Sequence, residues 1–335
     1  MAFEDYVQRY EQPINLGAPN VFNLPAGGNI LRGNVVVDAV VTITNAGAAG
    51  TAIGEGGPVN LIRRIKILAN KAAGSRYPNG VLLDCSPRAL LRYATIEHQG
   101  KYVAELFGAD LGNGAAGVYQ IYMSIPIYFG DSTLFNNVGC ALNMNAVDTQ
   151  GLPIYNAVQV RVDIAAALTE LFAGSGGTMT LVGTLRWYDE RLRLPQDTLP
   201  LIQEDHELLI QAAQWRLVDG AMPSDGNFTS WLIMAEQGQP GLALSDAILN
   251  KIELQGSAVN FDCKWQEIRQ AMIDEGFYDP STDMTGQFFI DWTKGMLQNS
   301  NAAAALQHRF AVNNPSGAGL DDLRIYTRRV YPLAQ

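Results

Sequence analysis

Apolar and polar residues alternate along most of this chain in short runs bounded by Gly, Asn and Pro, the period-two signature of half-buried β-strands. In the first part of the chain, Asn34–Thr44, Leu61–Leu68, Val118–Tyr128, Ala157–Ile164 and Thr178–Trp187 read as strands. In the second, Trp231–Ala235, Ile248–Leu254, Gln287–Trp292, His308–Val312 and Leu323–Tyr331 do so. Gly-rich segments such as Gly47–Gly57, Gly108–Gly117 and Gly174–Gly177 lie between them. The spacing predicts sandwiches with long connections rather than βαβ units.

Two helical patterns interrupt the strands. Ser86 is placed to cap a helix that opens on Pro87, a residue suited to the first helical position. Leu90, Leu91, Ala94 and His98 then share one face, and Gly100 can close the end. A second helix starts near Lys264, with Trp265, Ile268 and Met272 at helical spacing and Gly276 as its stop.

The two helices sit in matching contexts. Asn60–Ile67 leads through a loop to Leu83-Asp84-Cys85 and then the first helix. Ile248–Leu254 leads to Phe261-Asp262-Cys263 and then the second. Leu185–Arg191 and Leu323–Arg329 both read Leu-Arg-x-Tyr-x-x-Arg, each with a Pro soon after, Pro195 and Pro332. The ordered set of matches predicts two copies of one strand–helix–strand plan. Leu194–Pro200, with Pro195 and Pro200 flanking polar residues, reads as a short stiff linker. The expected organisation is an N-terminal arm over 1–16, one sandwich over 17–197 and a second over 198–335.

Composition sharpens this plan. Of 335 residues, 47% are hydrophobic and only 17% charged, against about 25% charged in a typical soluble domain. Among the basic residues 17 are Arg and 6 are Lys, and Arg is the cation favoured at interfaces. Much of the surface is therefore expected to face other protein. A net charge of −10 excludes a general nucleic-acid binder. Residues 1–197 carry 16 acids and 14 bases, giving −2, and residues 198–335 carry 17 and 9, giving −8. The second half is thus expected to contribute less to contact with anionic partners. The hydrophobicity excludes disorder. The longest apolar run, Val35–Ile43, is short and holds Asp38, so no membrane-spanning helix is predicted. The opening Met1–Asp5 lacks the features of a secretory signal. Cys85, Cys140 and Cys263 form no motif and read as reduced thiols.

The search for chemistry yields little. His98, His206 and His308 occur in no zinc spacing. There is no Walker pattern, no Gly-x-Gly-x-x-Gly and no Gly-x-Ser-x-Gly. No catalytic residue and no cofactor is assigned. Asp279-Pro280-Ser281-Thr282-Asp283 offers oxygens at alternate positions, as at the start of a calcium loop. Met284 and Ile290 stand where an EF-hand needs Gly and Glu, so Asp279 and Asp283 are the candidates for a structural calcium of another kind, with an Asp-Pro turn as the alternative. Asn227-Phe228-Thr229 fits a glycosylation sequon by chance composition. One Arg of each pair, Arg63-Arg64 and Arg328-Arg329, is expected to reach acids on a neighbouring subunit. Tyr119, Tyr122, Tyr128, Phe129, Phe288, Phe289 and Trp292 read as sandwich core or as stacking surfaces for sugars.

On the strand Gly57–Ile65, the two strand–Asp-Cys–helix units and the duplicated Leu-Arg-x-Tyr-x-x-Arg ends, the chain resembles the double jelly-roll major capsid proteins of tailless icosahedral, internal-membrane-containing bacteriophages, those of Flavobacterium-type hosts in particular. The likeness spans about residues 17–335. It implies a mainly β fold of two tandem jelly-roll β-sandwiches, each eight-stranded with a short helix inserted between strands. It implies a homotrimer with pseudo-hexameric outline that tiles an icosahedral virion shell around an internal membrane. The implied partners are neighbouring trimers, minor capsid, penton and membrane proteins of the virion, and the lipid membrane itself at its periphery. The implied location is the virion, after synthesis in the host bacterial cytoplasm. Loops such as Gly108–Gly117 and Gly220–Asn227 would form towers or inter-trimer contacts. Residues 1–16 hold Glu4, Asp5, Glu11 and one base, Arg9. The arm therefore departs from capsid arms that bind genome through basic residues, and no sequence-specific nucleic-acid binding is expected.

Two other classes compete with a shell subunit. One is a tandem β-sandwich carbohydrate-binding module or a virion spike that binds a receptor. The other is a jelly-roll glycoside hydrolase, which would need two facing carboxylates, with Asp163 and Glu190 or Asp291 as the only pairs to name.

Overall fold

The computed structural model describes residues 3–25, 27–45, 47, 49–52, 58–71, 80–97, 111–130, 142–144, 155–192, 201–210, 216–219, 222, 227–238, 243–255, 260–277, 284–292, 307–315 and 321–330. The first half of the chain contributes β1 (Phe3–Pro13), β2 (Pro19–Asn23), β3 (Asn29–Asn45), β4 (Thr51–Ala52), β5 (Ile62–Lys71) and β6 (Gly80–Cys85). Helix α1 (Pro87–Glu97) follows, then β7 (Gly117–Tyr128), β8 (Leu142–Asn143), β9 (Tyr155–Ile164), β10 (Phe172–Ala173) and β11 (Gly177–Leu192). The second half contributes β12 (Leu201–Ile210), β13 (Arg216–Asp219), β14 (Asn227–Gln237), β15 (Ala243–Leu244), β16 (Leu249–Gln255) and β17 (Asn260–Lys264). Helix α2 (Trp265–Asp274), β18 (Gln287–Asp291), β19 (Gln307–Val312) and β20 (Asp321–Val330) complete it. The chain divides into two compact units, the first running to Ile202 and the second from Gln203 to Pro332, with Thr95–Tyr102 counted in the second.

The two units repeat one topology. With the two-residue strands β4, β8, β10 and β15 set aside, each unit has eight strands among the described residues. In unit 1, β1-β11-β3-β7 are neighbours in one sheet and β6-β5-β9-β2 in another. In unit 2 the corresponding orders are β12-β20-β14-β18 and β17-β16-β19-β13. Counted along each unit, both give first–eighth–third–sixth and fifth–fourth–seventh–second. That is the jelly-roll order, reached twice. The helix lies between the fifth and sixth strands in each unit. The Asp-Cys pairs, Asp84-Cys85 and Asp262-Cys263, end or nearly end the fifth strand, and the Leu-Arg-x-Tyr-x-x-Arg runs form the eighth.

Strand alternation builds the cores. In unit 1, Val35, Val37, Val41, Leu185 and Trp187 are fully buried from one sheet, and Ile65, Ile67, Leu83, Val160 and Val162 from the other. The Trp187 ring lies on Gly33, where an added Cβ would stand 2.2 Å from Trp187 Cη2, so only glycine fits. In unit 2, Phe228, Trp231, Phe288, Phe310 and Tyr326 are fully buried.

The Ser86 cap of α1 and the Gly276 stop of α2 are as the sequence predicts, and a contact from Glu267 caps the start of α2. The Ala89 N–H donates to Ser86 Oγ at 3.3 Å. The Lys264 N–H donates to Glu267 Oε2 at 2.7 Å. Gly276, at φ +80°, turns the chain out of α2, and the Phe277 N–H reaches back to Met272 O at 2.8 Å. His98, Gly100 and the 194–200 linker lie outside the described residues. The segment read as an arm contains β1, which is hydrogen-bonded along β11 from Phe3↔Leu192 to Pro13↔Thr184.

Candidate assembly surface

Each first strand is fastened to its eighth by an ion pair with one buried partner. In unit 1 the carboxylate of Asp189, with no exposed side-chain surface, accepts from Arg9 Nε at 2.8 Å, Arg191 Nη2 at 2.8 Å and Trp187 Nε1 at 3.0 Å. Arg191 also donates to the carbonyls of Pro25, at 2.9 Å, and Gly27. In unit 2 the polarity reverses: Glu204 on the first strand accepts from Arg329 on the eighth. Tyr326 donates to Gln203 beside it. Around Arg324 stand Asp205 at 3.5 Å, Glu207 at 3.7 Å and Glu236 at 4.0 Å. Burial, with Glu236 close by, holds the Asp322 carboxyl far above the usual carboxylate range.

The sites read from sequence are mostly dispersed. Arg63 pairs with Glu170 at 2.7 Å, Arg64 with Asp84, and Arg329 with Glu204, all within the chain. The expected partners on a neighbouring subunit are supplied here by acids on adjacent elements. Asp163 pairs with Arg161 at 2.9 Å on β9, and Glu190 with Arg32 at 2.9 Å on β11. Those strands belong to different sheets, and each carboxylate is flanked by buried neighbours, so the two point outward from opposite sides of the sandwich. Tyr128, Phe129, Phe288 and Phe289 are core. His206 lies 3.8 Å from Glu204 and His308 is buried among aromatic rings. Cys85 and Cys263 form no disulfide among the described residues. Among the described residues no cluster of three metal-ligating side chains occurs. Asp279, Asp283 and Cys140 lie outside the described residues, as do most of Gly220–Asn227 and residues 108–110.

One surface stands apart. On the outward face of the first sheet of unit 1, cross-strand register sets Thr180, Thr42 and Val118 in one row, Val182, Val40 and Gln120 in the next, and Thr184, Asp38 and Tyr122 in the third. Val182 is 76% exposed, Val118 71% and Tyr122 61%. Asp38 is the only charge among these nine. The outward face of the other sheet is built differently. Lys66 pairs with Asp84 at 2.8 Å, and Arg64 and Arg161 are paired too. Against the upward push of burial, Lys66 and Arg64 hold the Asp84 carboxyl below its ordinary value. Sequence reasoning read the strands of the neutral face but not the face itself, because Val and Thr outside alternate with Val and Ile inside. The signal that would have found it is the lack of Lys and Glu at every outward position of Thr178–Thr184.

No family model matches the chain, and no curated protein matches it in sequence. Solved structures do match. The major capsid protein of Sulfolobus Turreted Icosahedral Virus is 13% identical, with 98% of this chain and 96% of that one covered and a TM-score of 0.67. The Faustovirus major capsid protein is 8% identical, with 98% and 90% covered and a TM-score of 0.57. The major capsid protein of bacteriophage PM2 is 10% identical, with 96% and 98% covered and a TM-score of 0.52. At these identities the likeness is one of fold, and it matches the twice-repeated strand order: the chain has the double jelly-roll fold of these viral major capsid proteins.

Proposed function

We propose that the chain is a major capsid protein, a structural subunit that forms a homotrimer and tiles an icosahedral virion shell. The observation that carries this reading is the double jelly roll matched over nearly the whole length of capsid proteins from three different viruses. The duplicated unit gives a trimer six similar sandwiches, which approximates the sixfold symmetry a closed lattice needs. The Val-Thr-Tyr face of unit 1, whose one charge, Asp38, is paired with Arg186 at 3.5 Å, supplies a surface that can be desolvated at small cost. Many weak, repeated contacts of that kind sum to a stable shell.

The finer features follow from the same reading. The shell would enclose an internal membrane, with minor capsid, penton and membrane proteins as partners, in a virion assembled in a bacterial cytoplasm. The near-neutral first half, −2 over residues 1–197, and the acidic second half give no reason to expect direct contact with genome. Asp279 and Asp283 remain the candidates for a structural calcium. The test is light scattering on the purified chain, followed by electron microscopy. A stable trimer that grows into large closed particles is the expected result. A monomer that binds glycans and never grows would replace this reading with a carbohydrate-binding one.

A further inference from the structure

Three adjacent strands of unit 2 bring four acids to one end of a sheet. Glu236 of β14 and Asp322 of β20 are direct cross-strand partners, and two residues along, on the same face, Met234 stands opposite Arg324. β12 lies on the other side of β20 and brings Asp205 and Glu207 to Arg324 at 3.5 and 3.7 Å, while Glu236 stands 4.0 Å from it. Asp322 and Glu236 have no exposed surface, Asp205 is buried and Glu207 is exposed. Burial works against the Arg324 charge, and Asp205, Glu236, Asp322 and Glu207 together outweigh it. Among the described residues, then, four carboxyl groups share one guanidinium. Asp321 faces the opposite way and accepts from the Gly238 N–H at 2.9 Å. The sequence adjoining these strand ends, 211–215, 239–242 and 316–320, contains no charged residue.

Like charges set directly opposite in a ladder repel, and burial strengthens the repulsion. Neither Oδ1 nor Oδ2 of Asp322 receives a hydrogen bond, yet Glu236 is near enough to bond with it once one of the two carries a hydrogen. An ionised carboxylate only accepts, whereas a protonated one also donates. One proton therefore turns repulsion into a hydrogen bond across the ladder. Burial first, and the Glu236 charge second, push the Asp322 carboxyl up, and Arg324 offsets them only in part.

We propose that Asp322 and Glu236 share one proton at neutral pH, and that its loss in alkali unfastens this end of the β14–β20 ladder. The pair is an alkaline-sensitive latch inside one unit of one chain, so it holds whether or not the chain assembles. In the unfolded chain Asp322 gives up its proton near 3.8, and in the folded pair much later. Stability from the pair is therefore intact below that value, declines as pH rises, and is fully lost once the folded pair ionises.

Asp322→Asn keeps a donor beside Glu236 but removes the titration, and Glu236→Gln does the same from the other strand. In urea denaturation of the full chain from pH 5 to pH 9, the folding constant of the wild type should fall tenfold or more relative to Asp322→Asn, one proton allowing at most about tenfold per pH unit. If Asp322→Asn does not fold, Glu236→Gln carries the same comparison. Infrared difference spectra should show a protonated carboxyl band in the wild type at pH 7 that vanishes in alkali and is missing from Asp322→Asn. At pH 9 the backbone amides of 321–325 should exchange at least tenfold faster in the wild type than in Asp322→Asn. Parallel pH profiles, or the absence of that band, overturn the shared proton. Equal exchange at pH 9 overturns the unfastening.

Discussion

His308 is a titratable group enclosed by rings. Its imidazole lies 5.4 Å from the Trp231 ring and 5.9 Å from that of Phe228. Burial lowers its pKa from 6.5 to about 4. Between those two values the unfolded chain binds a proton that the folded chain does not. Stability from this group is therefore intact above pH 6.5 and drains away as pH falls toward 4. In urea denaturation, the wild type should lose more stability between pH 7 and pH 4.5 than His308→Phe. Equal losses would show that the imidazole stays solvated. Gly33 works at the same scale by a different cause: it is held by the Trp187 ring above it, not by an unusual backbone angle.

At the scale of elements, the first strand of each unit is a polar strand fixed in a sheet by ions. This is where the sequence was least legible. Ten strands, both helices and the duplicated plan could be read from period-two and helical spacing. β1 and β12 could not, because few of their inward positions are apolar, and the short β2, β6, β13 and β17 were not read as strands either. Gln203 and Asp205 are buried on β12, and Val7–Pro13 of β1 are exposed or half-buried, with Arg9 turned in to Asp189. A pattern of hydrophobicity does not register a strand that is held by charge. Asp189 is the sharpest test of ionic fastening. Asp189→Ala leaves Arg9 and Arg191 without their carboxylate, and breaking such a buried pair should cost about 3–5 kcal/mol. Urea denaturation measures it, and a loss below about 1 kcal/mol would mean that the ladder alone holds β1.

At the scale of the whole molecule, low charge and neutral outward residues belong together. With 17% charged residues, the chain leaves the face around Val182, Val40 and Val118 without the Lys and Glu that keep proteins apart. Val182→Lys combined with Tyr122→Lys should shift the melting temperature by no more than about 2–4 °C, as for surface substitutions away from the core. The same change should block particle growth in light scattering. Normal growth would move the contact elsewhere. The reversed polarity of the ionic fastenings has a consequence for how such a chain avoids misfolding. Two copies of one topology in one polypeptide invite strand exchange, with β1 laid against β20 or β12 against β11. In the first case Arg9 would face Thr327 and its neighbours Arg328 and Arg329 instead of Asp189. In the second, Asp189 would lose Arg9 and share its remaining cation, Arg191, with Glu204, because Arg191 stands where β20 has Arg329. Each wrong pairing leaves charge of one sign in excess inside a sandwich, so the sign of two half-buried pairs acts as an address label that tells each first strand which sandwich is its own.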